Sequence, residues 1–391
     1  MEQGWAQPVG VGLVTALVGF TSSFAVVLAG LQAVGATTAQ AASGLATLCV
    51  LQGAGTLWLS LRHRRPLTLA WSTPGAALLV SAAGLQLGWS AAVGAFVVCG
   101  LLLAVTGLWP WLGRTVAAIP APLAQAMLAG VLLTLCIQPV VALSRTPVLV
   151  APVILLWLVL QRYAPRWSAP AAFALALALI VGVAVVDGSG VSLQAPTLSF
   201  TAPGFSWPAV VGLALPLYVV TMAAQNVPGV AVLAAAGYRV PWRQTLLLTG
   251  AGTVAGAGAG AHAVNLAAIT AALPASAEAH PDPERRWIAA ATAGVAYLAL
   301  APAAATLAGL MAQAPPGVIE SVAGLALVGT LAASLAAATA DPAERLPAVA
   351  AFLVAAGGVS MLGIGAAFWA LLAGLALRLV LRPRARQSSP V

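Results

Sequence analysis

The stretch Leu67-Thr-Leu-Ala-Trp-Ser-Thr-Pro-Gly-Ala-Ala-Leu-Leu79 decides how this chain folds. Pro74 fits only in the first turn of a helix, because its ring fixes φ and it has no N–H to donate. The helix ends by Ala83, since a glycine and a polar glutamine follow. Such a helix is roughly 15 Å long, about half of the ~30 Å hydrocarbon core of a bilayer. The extended run Leu67–Thr73 must therefore supply the other half of the crossing.

A second stretch, Gly260-Ala-His-Ala-Val-Asn-Leu-Ala-Ala-Ile-Thr-Ala-Ala-Leu273, occupies the corresponding place in the second half of the chain. Irregular backbone at membrane depth is tolerated only where protein or a water-filled cavity satisfies its N–H and C=O groups. Two half-helices at corresponding places in two chain halves indicate the binding site of a transporter. The sequence therefore predicts half-helices with short extended segments in two crossings that face each other at mid-bilayer.

The composition excludes an ordinary soluble fold. Of 391 residues, 61% are hydrophobic and 6% are charged, which predicts an all-α polytopic membrane protein. No cleavable signal is predicted, because the N-terminus carries Glu2 rather than basic residues and no A-x-A site closes a short apolar run. Cys49, Cys99 and Cys136 lie in apolar spans with a spacing that fits neither a metal site nor a disulfide framework, so no metal or cofactor is predicted. The net charge of +8 is interpreted as a positive-inside bias rather than a nucleic-acid surface.

Hydropathy predicts fourteen spans. Their boundaries are 10–34, 37–60, 67–86, 89–111, 118–139, 147–161, 168–186, 207–236, 244–258, 260–275, 287–312, 317–340, 346–358 and 360–381. With both termini in the cytoplasm, fifteen of the sixteen arginines fall inside and Arg145 alone falls outside. One added or dropped span would invert every later loop, so this bias favours fourteen. The fifteen are Arg62, Arg64, Arg65, Arg114, Arg162, Arg166, Arg239, Arg243, Arg285, Arg286, Arg345, Arg378, Arg382, Arg384 and Arg386.

Seven spans in each half require the second half to be inserted in the inverted direction. Residues 119–130 resemble residues 314–324 at an offset near 194, with a proline and a glycine matching in each. The sequence therefore predicts two inverted repeats, residues 1–186 and 207–391. They are joined by an external linker at 187–206 that is polar and rich in Gly, Pro and Ser.

Four motifs follow one another along the chain: Trp71-Ser-Thr-Pro-Gly-Ala-Ala-Leu-Leu79, Ala224-Gln-Asn-Val-Pro-Gly-Val-Ala-Val-Leu233, Gly260-Ala-His-Ala-Val-Asn-Leu-Ala-Ala-Ile-Thr-Ala271 and Glu278-Ala-His-Pro-Asp-Pro-Glu-Arg-Arg-Trp287. In sequence and order they resemble the BenE-type benzoate transporters, and the similarity covers nearly the whole chain. The resemblance implies a proton-coupled importer of benzoate or a similar aromatic carboxylate in the bacterial inner membrane, and no enzyme. The expected partners are the substrate, protons and membrane lipid, with a homodimer as one assembly considered and no nucleic acid.

The resemblance also implies the seven-plus-seven inverted-repeat fold shared with uracil and xanthine permeases. In that fold, spans 1–4 and 8–11 form a core domain, here residues 8–115 and 207–312. Spans 5–7 and 12–14 form a gate domain, here residues 116–206 and 313–382. The substrate is expected between the two half-helices and spans 1 and 8.

Acidic side chains are nearly absent from the predicted spans. A pocket between two half-helix N-termini and without carboxylates has a positive potential, since each terminus resembles about half a charge. The related nucleobase permeases carry glutamates at the positions of Gln225 and His262, so this departure favours a carboxylate ligand. Glu320, at the external entrance of span 12, is either a solvated interfacial residue or a proton-sensing residue of the gate. The other acids lie in the N-terminal tail or in loops: Glu2, Asp187, Glu278, Asp282, Glu284, Asp341 and Glu344.

Four polar residues at depth are candidate ligands for the substrate: His262, Gln225, Asn226 and Asn265. His262 either hydrogen-bonds unwound backbone or contacts the substrate carboxylate and carries the coupled proton, since histidine titrates near neutrality. Gln225 and Asn226 precede a proline, and their amides either satisfy backbone groups freed by a kink or donate to the ligand. Asn265 is predicted on the half-helix of span 10 as a further ligand, whereas Thr270 is expected to bond its own helix.

The opposing helix terminus offers Ser72, Thr73 and the N–H groups from Gly75 onward. A serine or threonine before proline is also a plain N-cap, and a cap and an anion site use the same donors. Phe24 in span 1 and Tyr218 in span 8 are either apolar walls for the aromatic ring or ordinary packing.

Two alternatives remain open from the sequence. A nucleobase proton symporter is the nearest one within transport. A membrane-embedded enzyme is the alternative of another class, disfavoured because there is no metal-ligand cluster such as H-E-x-x-H and almost no acid at depth. A passive channel is disfavoured because no regular ring of polar residues lines any span.

Overall fold

The computed structural model describes residues 4–109, 111, 118–188, 190, 193–268 and 270–381. Glu2, Arg114, Arg382, Arg384, Arg386 and the predicted boundary at 115–116 lie outside these residues. The helices are α1 Ala6–Thr21, α2 Phe24–Ala33, α3 Thr38–His63, α4 Thr73–Ser81, α5 Trp89–Leu108, α6 Ala121–Cys136, α7 Gln138–Arg145, α8 Pro147–Tyr163, α9 Pro165–Val186, α10 Trp207–Ala235, α11 Trp242–Ala257, α12 Ala272–Ala275, α13 Trp287–Leu300, α14 Ala303–Ala312, α15 Val318–Thr339, α16 Arg345–Ala356 and α17 Ala366–Leu381. The strands are β1 Leu69–Trp71 and β2 Val264–Leu266.

Every predicted span coincides with one or more of these elements. In the part of the chain that the structure describes, seven helical segments are long and apolar enough to cross a membrane. An eighth is added if α13 and α14, bent by 59° at their junction, form one span. Helices α8, α16 and α17 are apolar but shorter. The protein is therefore a multi-pass α-helical membrane protein, and the count of fourteen spans stays a prediction.

The two extended segments pair with each other as an antiparallel ribbon, with Ala70 opposite Asn265. Helix α4 begins directly after β1 and ends at Ser81, within the predicted limit at Ala83. Two interrupted crossings therefore meet in the interior and run in opposite directions, as the sequence predicts.

The half-helix predicted for span 10 is wrong. After β2, the described residues form turns and the four-residue helix α12. A helix running from Asn265 would place Pro274 in its interior, where the ring clashes with the carbonyl group four residues earlier. Asn265 consequently lies in β2 and Thr270 in a turn. Of the two predicted half-helices, α4 alone is present among the described residues.

Glycines bring helices of the two chain halves close together. A Cβ on Gly53 of α3 would lie 2.8 Å from the carbonyl oxygen of Gly294 on α13, and one on Gly100 of α5 would lie 2.9 Å from that of Gly250 on α11. Lipid gives helices no hydrophobic reason to associate, so close packing of small residues stabilises such crossings. Helices from both halves therefore interlock around the ribbon.

Helix α6 packs on both sides of the molecule. It contacts α15 and α16, where Gly130 lies against the carbonyl oxygen of Phe352, and it also contacts α4 and the middle of α10. Gly324 of α15 lies equally close to Leu135 of α6. The helices of the predicted gate thus contact α4 and α10 through α6.

The described part of the linker, residues 193–206, is hydrogen-bonded to helices that the sequence assigns to the core. The N–H of Ser199 donates to Ser43 Oγ at 3.0 Å, and the N–H of Gly204 donates to the Ser90 carbonyl at 2.8 Å. The sequence predicts this linker as part of the gate domain. Its hydrogen bonds to Ser43 and Ser90 are made instead to helices of the predicted core domain.

Candidate functional site

The first strand is held by two side chains of one helix. Thr56 Oγ1 accepts a hydrogen bond from the N–H of Leu69 at 2.8 Å, and Gln52 Oε1 accepts one from the N–H of Trp71 at 2.8 Å. Gln52 and Thr56 are four residues apart on α3 and therefore lie on the same face. These N–H groups point away from β2, and the side chains satisfy them where no second strand can.

The second strand is held by side chains of two different helices. Thr253 Oγ1 of α11 accepts from the N–H of Val264 at 3.0 Å, and Asn226 Oδ1 of α10 accepts from the N–H of Leu266 at 2.9 Å. Both edges of a two-stranded ribbon are thereby paired inside the protein. Irregular backbone inside a membrane must have its polar groups hydrogen-bonded by the protein, and these side chains bond the outward N–H groups of both strands.

Ser72 joins the two crossings at the start of α4. Its hydroxyl caps the helix by accepting from the N–H of Gly75 at 3.1 Å and lies 2.9 Å from Thr221 Oγ1 of α10. Its carbonyl oxygen lies 3.0 Å from His262 Nε2. The expected N-cap is confirmed, and the positive end of α4 lies beside α10 and His262.

His262 is fully buried and has one ring nitrogen free of protein partners. A carbonyl oxygen only accepts, so Nε2 carries the hydrogen and Nδ1 of the neutral ring is an acceptor. Nδ1 has no hydrogen-bond partner among the described residues. The ring meets Phe96 edge to face at a centroid distance of 6.3 Å. His262 therefore bonds unwound backbone, as one reading of the sequence expected, and keeps a site at which a proton can add.

Helix α10 contains two turns of π-helix, each of which ends two residues before a proline. They span Val210–Ala214 before Pro216 and Met222–Asn226 before Pro228. Proline lacks the N–H that would bond the carbonyl four residues back and collides with that carbonyl, and a wider turn relieves both problems. The predicted kink before Pro228 is thus a π turn within a continuous helix.

The π turn gives adjacent amides different surroundings. Asn226 Oδ1 bonds the ribbon, while its Nδ2 lies 3.4 Å from the carbonyl oxygen of Thr221. Gln225 is 6% exposed and makes no hydrogen bond with the described residues. Asn226 therefore satisfies backbone, and Gln225 keeps its amide available.

An aromatic cluster lies at the break between α1 and α2. The ring centroid of Phe20 lies 5.0 Å from that of Phe24 and 5.9 Å from that of Trp71. Phe24 also meets Phe173 of α9 at 5.9 Å. The Trp71 indole N–H donates to Ser23 Oγ at 2.7 Å, which ties the helix break to β1. Phe24 is thus one of four clustered rings.

The remaining predicted site residues have different surroundings. Tyr218 is buried against α5, with its hydroxyl 2.5 Å from Thr106 Oγ1, so it does not join the Phe24 cluster. A Cβ on Gly75 would lie 2.6 Å from Leu217 of α10, so glycine permits the close approach of α4 to that helix. Thr73 is half-buried in the first turn of α4, and Asn265 Oδ1 is buried without a hydrogen-bond partner among the described residues.

Charged side chains stay away from the ribbon. The buried polar side chains of the described residues are serines, threonines, asparagines, glutamines and His262. Glu320 is exposed and its carboxylate accepts from the N–H of Gly317 at 3.1 Å, a cap at the start of α15. The region between α4, α10 and the ribbon is therefore neutral apart from the helix dipole and the histidine.

Comparison with known proteins gives the family. Residues 5–380 match the family described as benzoate membrane transport protein, BenE. The chain belongs to the BenE family. It is 40% identical over 364 residues to the inner membrane protein YdcO of Escherichia coli, and the match covers 93% of each chain. It is 30% identical over 336 residues to the benzoate membrane transport protein of Acinetobacter baylyi, and the match covers 84% of each chain.

Solved structures show the fold that this BenE chain shares. The transmembrane domain of a cyanobacterium bicarbonate transporter, BicA, superposes with a TM-score of 0.61 at 16% identity over 96% of both chains. The structure of SLC26A9 gives a TM-score of 0.65 at 14% identity, covering 95% of this chain but 65% of that one. These neighbours are anion transporters, so they do not support the expected likeness to uracil and xanthine permeases. The BenE chain is a membrane transporter and not an enzyme.

The sequence analysis missed the residues that hold the ribbon in this BenE chain. Gln52 and Thr56 are isolated polar residues four apart in an apolar span, and that spacing is a signal for a shared face. Thr253 and Thr221 gave no comparable signal, because threonines are common in apolar helices, where they bond their own backbone.

Proposed function

We propose that the chain imports benzoate or a similar aromatic carboxylate, together with protons, across a bacterial inner membrane. The observation that carries the proposal is the neutral, carboxylate-free set of buried polar side chains around the N-terminus of α4. Membership of the BenE family and the benzoate transport protein of Acinetobacter baylyi support the choice of substrate.

The anion is held where α4 begins. The dipole of the helix favours a negative charge at this end, the amide of Gln225 supplies a side-chain donor, and His262 becomes a second donor when its Nδ1 is protonated. Ser72, Thr73 and the backbone from Gly75 onward form the helix side of the site. Asn226 acts indirectly, by holding β2 in place through Leu266.

The ring of the substrate packs against aromatic side chains. Phe20, Phe24 and Trp71 form a buried aromatic cluster, and Trp71 directly precedes Ser72 in the chain. Aromatic pairs with offset or edge-to-face geometry contribute about 0.5–1.5 kcal/mol beyond the burial of their area. Tyr218 is assigned to the α5 side of the site, where it orients α10 through Thr106.

A proton is needed for charge balance. Moving one negative charge inward against the membrane potential costs ~2.3 kcal/mol per 100 mV, and a co-transported proton removes that cost. His262 is the proposed carrier, because its Nδ1 is free and protonation there creates a donor for the carboxylate. Glu320, exposed and engaged in a helix cap, is the weaker candidate.

The same proposal includes the finer architecture. Fourteen spans form two inverted repeats, with both termini in the cytoplasm. The interlocked helices around the ribbon act as the core and the α6–α9 and α15–α17 helices act as the gate, with movement between them carrying the substrate. The antiparallel ribbon and the glycine crossings support this division, and a homodimer is the proposed assembly.

Uptake by the purified protein in proteoliposomes tests the proposal. We expect radiolabelled benzoate uptake that rises with an inward proton gradient, collapses with a proton ionophore and resists competition by uracil or xanthine. Uptake that is unaffected by the ionophore would contradict proton coupling. Competition by nucleobases, with benzoate inert, would indicate that the substrate is a nucleobase instead.

The same assay assigns the proton carrier. His262→Asn keeps a side-chain amide near Ser72 and removes the titrating ring, so we expect uptake to fall by at least about 100-fold or to lose its pH dependence. His280→Asn, in an exposed loop, is the matched control and leaves uptake unchanged. Wild-type affinity and pH dependence in His262→Asn would reject the role.

A further inference from the structure

A cavity lies where three connections of the chain meet, and none of its lining residues belongs to the ribbon. It has a volume of about 500 Å³ and is bounded by the end of α3, the α10–α11 connection and the loop before α13. His63, Arg64, Arg65, Tyr238 and Trp287 are among its lining residues. The transport site proposed above uses none of them.

The walls of the cavity are fixed by specific contacts. The guanidinium of Arg65 donates to the carbonyl oxygen of Arg239 at 2.5 Å, and His63 Nε2 lies 2.7 Å from Gln244 Oε1. The Tyr238 hydroxyl donates to the Pro283 carbonyl at 2.8 Å. The three connections are therefore cross-linked around the cavity.

Arg64 adopts a backbone conformation that normally selects glycine. It ends α3 with φ of +50°, in the left-handed region that side chains with a Cβ adopt at a cost. Its guanidinium lies over the Trp287 ring, 4.3 Å from the centroid. An arginine kept at this strained position, and stacked at the cavity wall, indicates that its charge is used there.

The charge around the cavity favours an anion. Of the acids in the nearby loops, Glu278 pairs with Arg166 at 2.9 Å and Asp282 lies 3.8 Å from Arg285. Glu284 also lines the cavity. Arg64 has no ion pair with the described residues. The arginines of these connections outnumber the three acids and are Arg62, Arg64, Arg65, Arg239, Arg243, Arg285 and Arg286.

The helix surface beside the cavity faces lipid. Trp58 and Leu61, in the last two turns of α3, are 48% and 45% exposed, and the Trp58 ring meets His63 edge to face at 6.5 Å. In a membrane protein, exposed apolar side chains at a helix end contact acyl chains, and tryptophan marks the headgroup level. The basic cavity therefore opens next to a lipid-facing surface.

We propose that this cavity binds the phosphate of an anionic phospholipid headgroup. Arg64 and Arg65 hold the phosphate, the Tyr238–Trp287 side accommodates the glycerol, and the acyl chains lie along Trp58 and Leu61. Basic pockets between transmembrane helices bind anionic headgroups in this way. The ligand stabilises the joint between α3, α11 and α13 at the base of the ribbon.

Lipid binding to the purified full chain in neutral detergent tests the proposal. The probes are dihexanoyl phosphatidylglycerol, dihexanoyl phosphatidylcholine and inorganic phosphate, and the readouts are the melting temperature and the Kd. We expect saturable phosphatidylglycerol binding at least about tenfold tighter than phosphatidylcholine binding, because only the former has an uncompensated charge.

Arg64→Gly is the informative variant. Glycine suits the left-handed conformation, so the variant is expected to melt at or above the wild-type temperature without lipid and to bind phosphatidylglycerol about tenfold more weakly. Arg145→Gln, in α7, is the control, because it removes one positive charge from a helix that does not line the cavity. We expect it to leave lipid binding unchanged. Equal phosphatidylglycerol binding by wild type and Arg64→Gly overturns the proposal. So does an equal response to phosphatidylcholine, or to inorganic phosphate at the same concentration.

Discussion

The two interrupted crossings differ in the structure that comes after the strand. After β1 the chain enters α4, a nine-residue helix capped by Ser72, whereas after β2 it enters turns and the four-residue α12. The first crossing thus supplies a helix N-terminus and the second supplies side chains, with His262 two residues before its strand. The proposed site therefore combines the helix dipole of α4, from the first half of the chain, with side-chain hydrogen bonds from the second half.

The strands also differ in their support. Both side chains that hold β1 come from α3, but β2 is held by α11 and by the π turn of α10. Helix α10 therefore bonds β2 directly through Asn226, whereas it reaches the first crossing only after β1, through Thr221 and Ser72. The two strands thus depend on different helices, although they pair with each other.

The largest expected effect comes from substituting two buried glutamines, one in each half of the chain, whose roles differ. Gln225 makes no hydrogen bond with the described residues, whereas Gln52 accepts from the N–H of Trp71. Gln225→Leu should raise the KM for benzoate by about 10–100-fold with an unchanged melting temperature, because a hydrogen bond to a charged ligand contributes about 1.5–3 kcal/mol.

The matched change Gln52→Leu should lower the stability of the fold rather than weaken substrate binding. It leaves the Trp71 N–H buried and unpaired, which costs about 1–3 kcal/mol of folding free energy and lowers the melting temperature of the purified protein. If Gln225→Leu destabilises the fold with an unchanged KM, the assignment of roles to the two halves is wrong.

The next effect tests whether both crossings are equally tightly packed. Gly30 of α2 lies against the carbonyl oxygen of Ala76, and Gly229 of α10 lies against that of Ala267. Alanine at either place forces backbone apart, and overpacking of this kind costs about 1–3 kcal/mol. We expect Gly30→Ala and Gly229→Ala to lower the melting temperature by similar amounts.

Gly182→Ala is the control for these glycines, because no atom lies within 4 Å of the added Cβ. In a helix it should be neutral or slightly stabilising. A much smaller effect for Gly229→Ala than for Gly30→Ala would contradict the expectation of equal packing and show that the second crossing yields to the added methyl group.

Local rules predicted much of the fold. Pro74 fixed the start of α4, and the polar residue after it limited its length. The same rule applied to Pro274 argues against a half-helix in span 10, whereas the prediction of one there rests on the corresponding placement of the two motifs and does not use Pro274. The lesson is that a duplicated position does not guarantee a duplicated helix when one copy has proline at its far end.

Long-range pairing could not be predicted from the sequence. Asn226 and Leu266 are forty residues apart, and nothing in the local pattern distinguishes Asn226, which holds β2, from Gln225 beside it. Both amides lie in the π turn before Pro228, and only the folded structure shows which of them meets β2. The sequence therefore predicted where the extended segments lie but not which amide remains available.

The smallest expected effect concerns the loops after the two crossings. The loop after α4 carries no charge, whereas the one after α12 carries Glu278, paired with Arg166 of α9. The side chains of that pair are 57% and 51% exposed, so Glu278→Gln should change the free energy of unfolding by less than about 1 kcal/mol.

Glu344→Gln is the comparison for Glu278→Gln. Glu344 lies 2.5 Å from Arg378 with the two side chains 14% and 26% exposed, so its loss should cost more, about 1.5–3 kcal/mol. Melting temperatures at low and high salt distinguish the two pairs, because salt screens exposed charges much more than buried ones. An equal loss in both variants would contradict this ranking and would mean that the Glu278–Arg166 pair fixes the second crossing to α9.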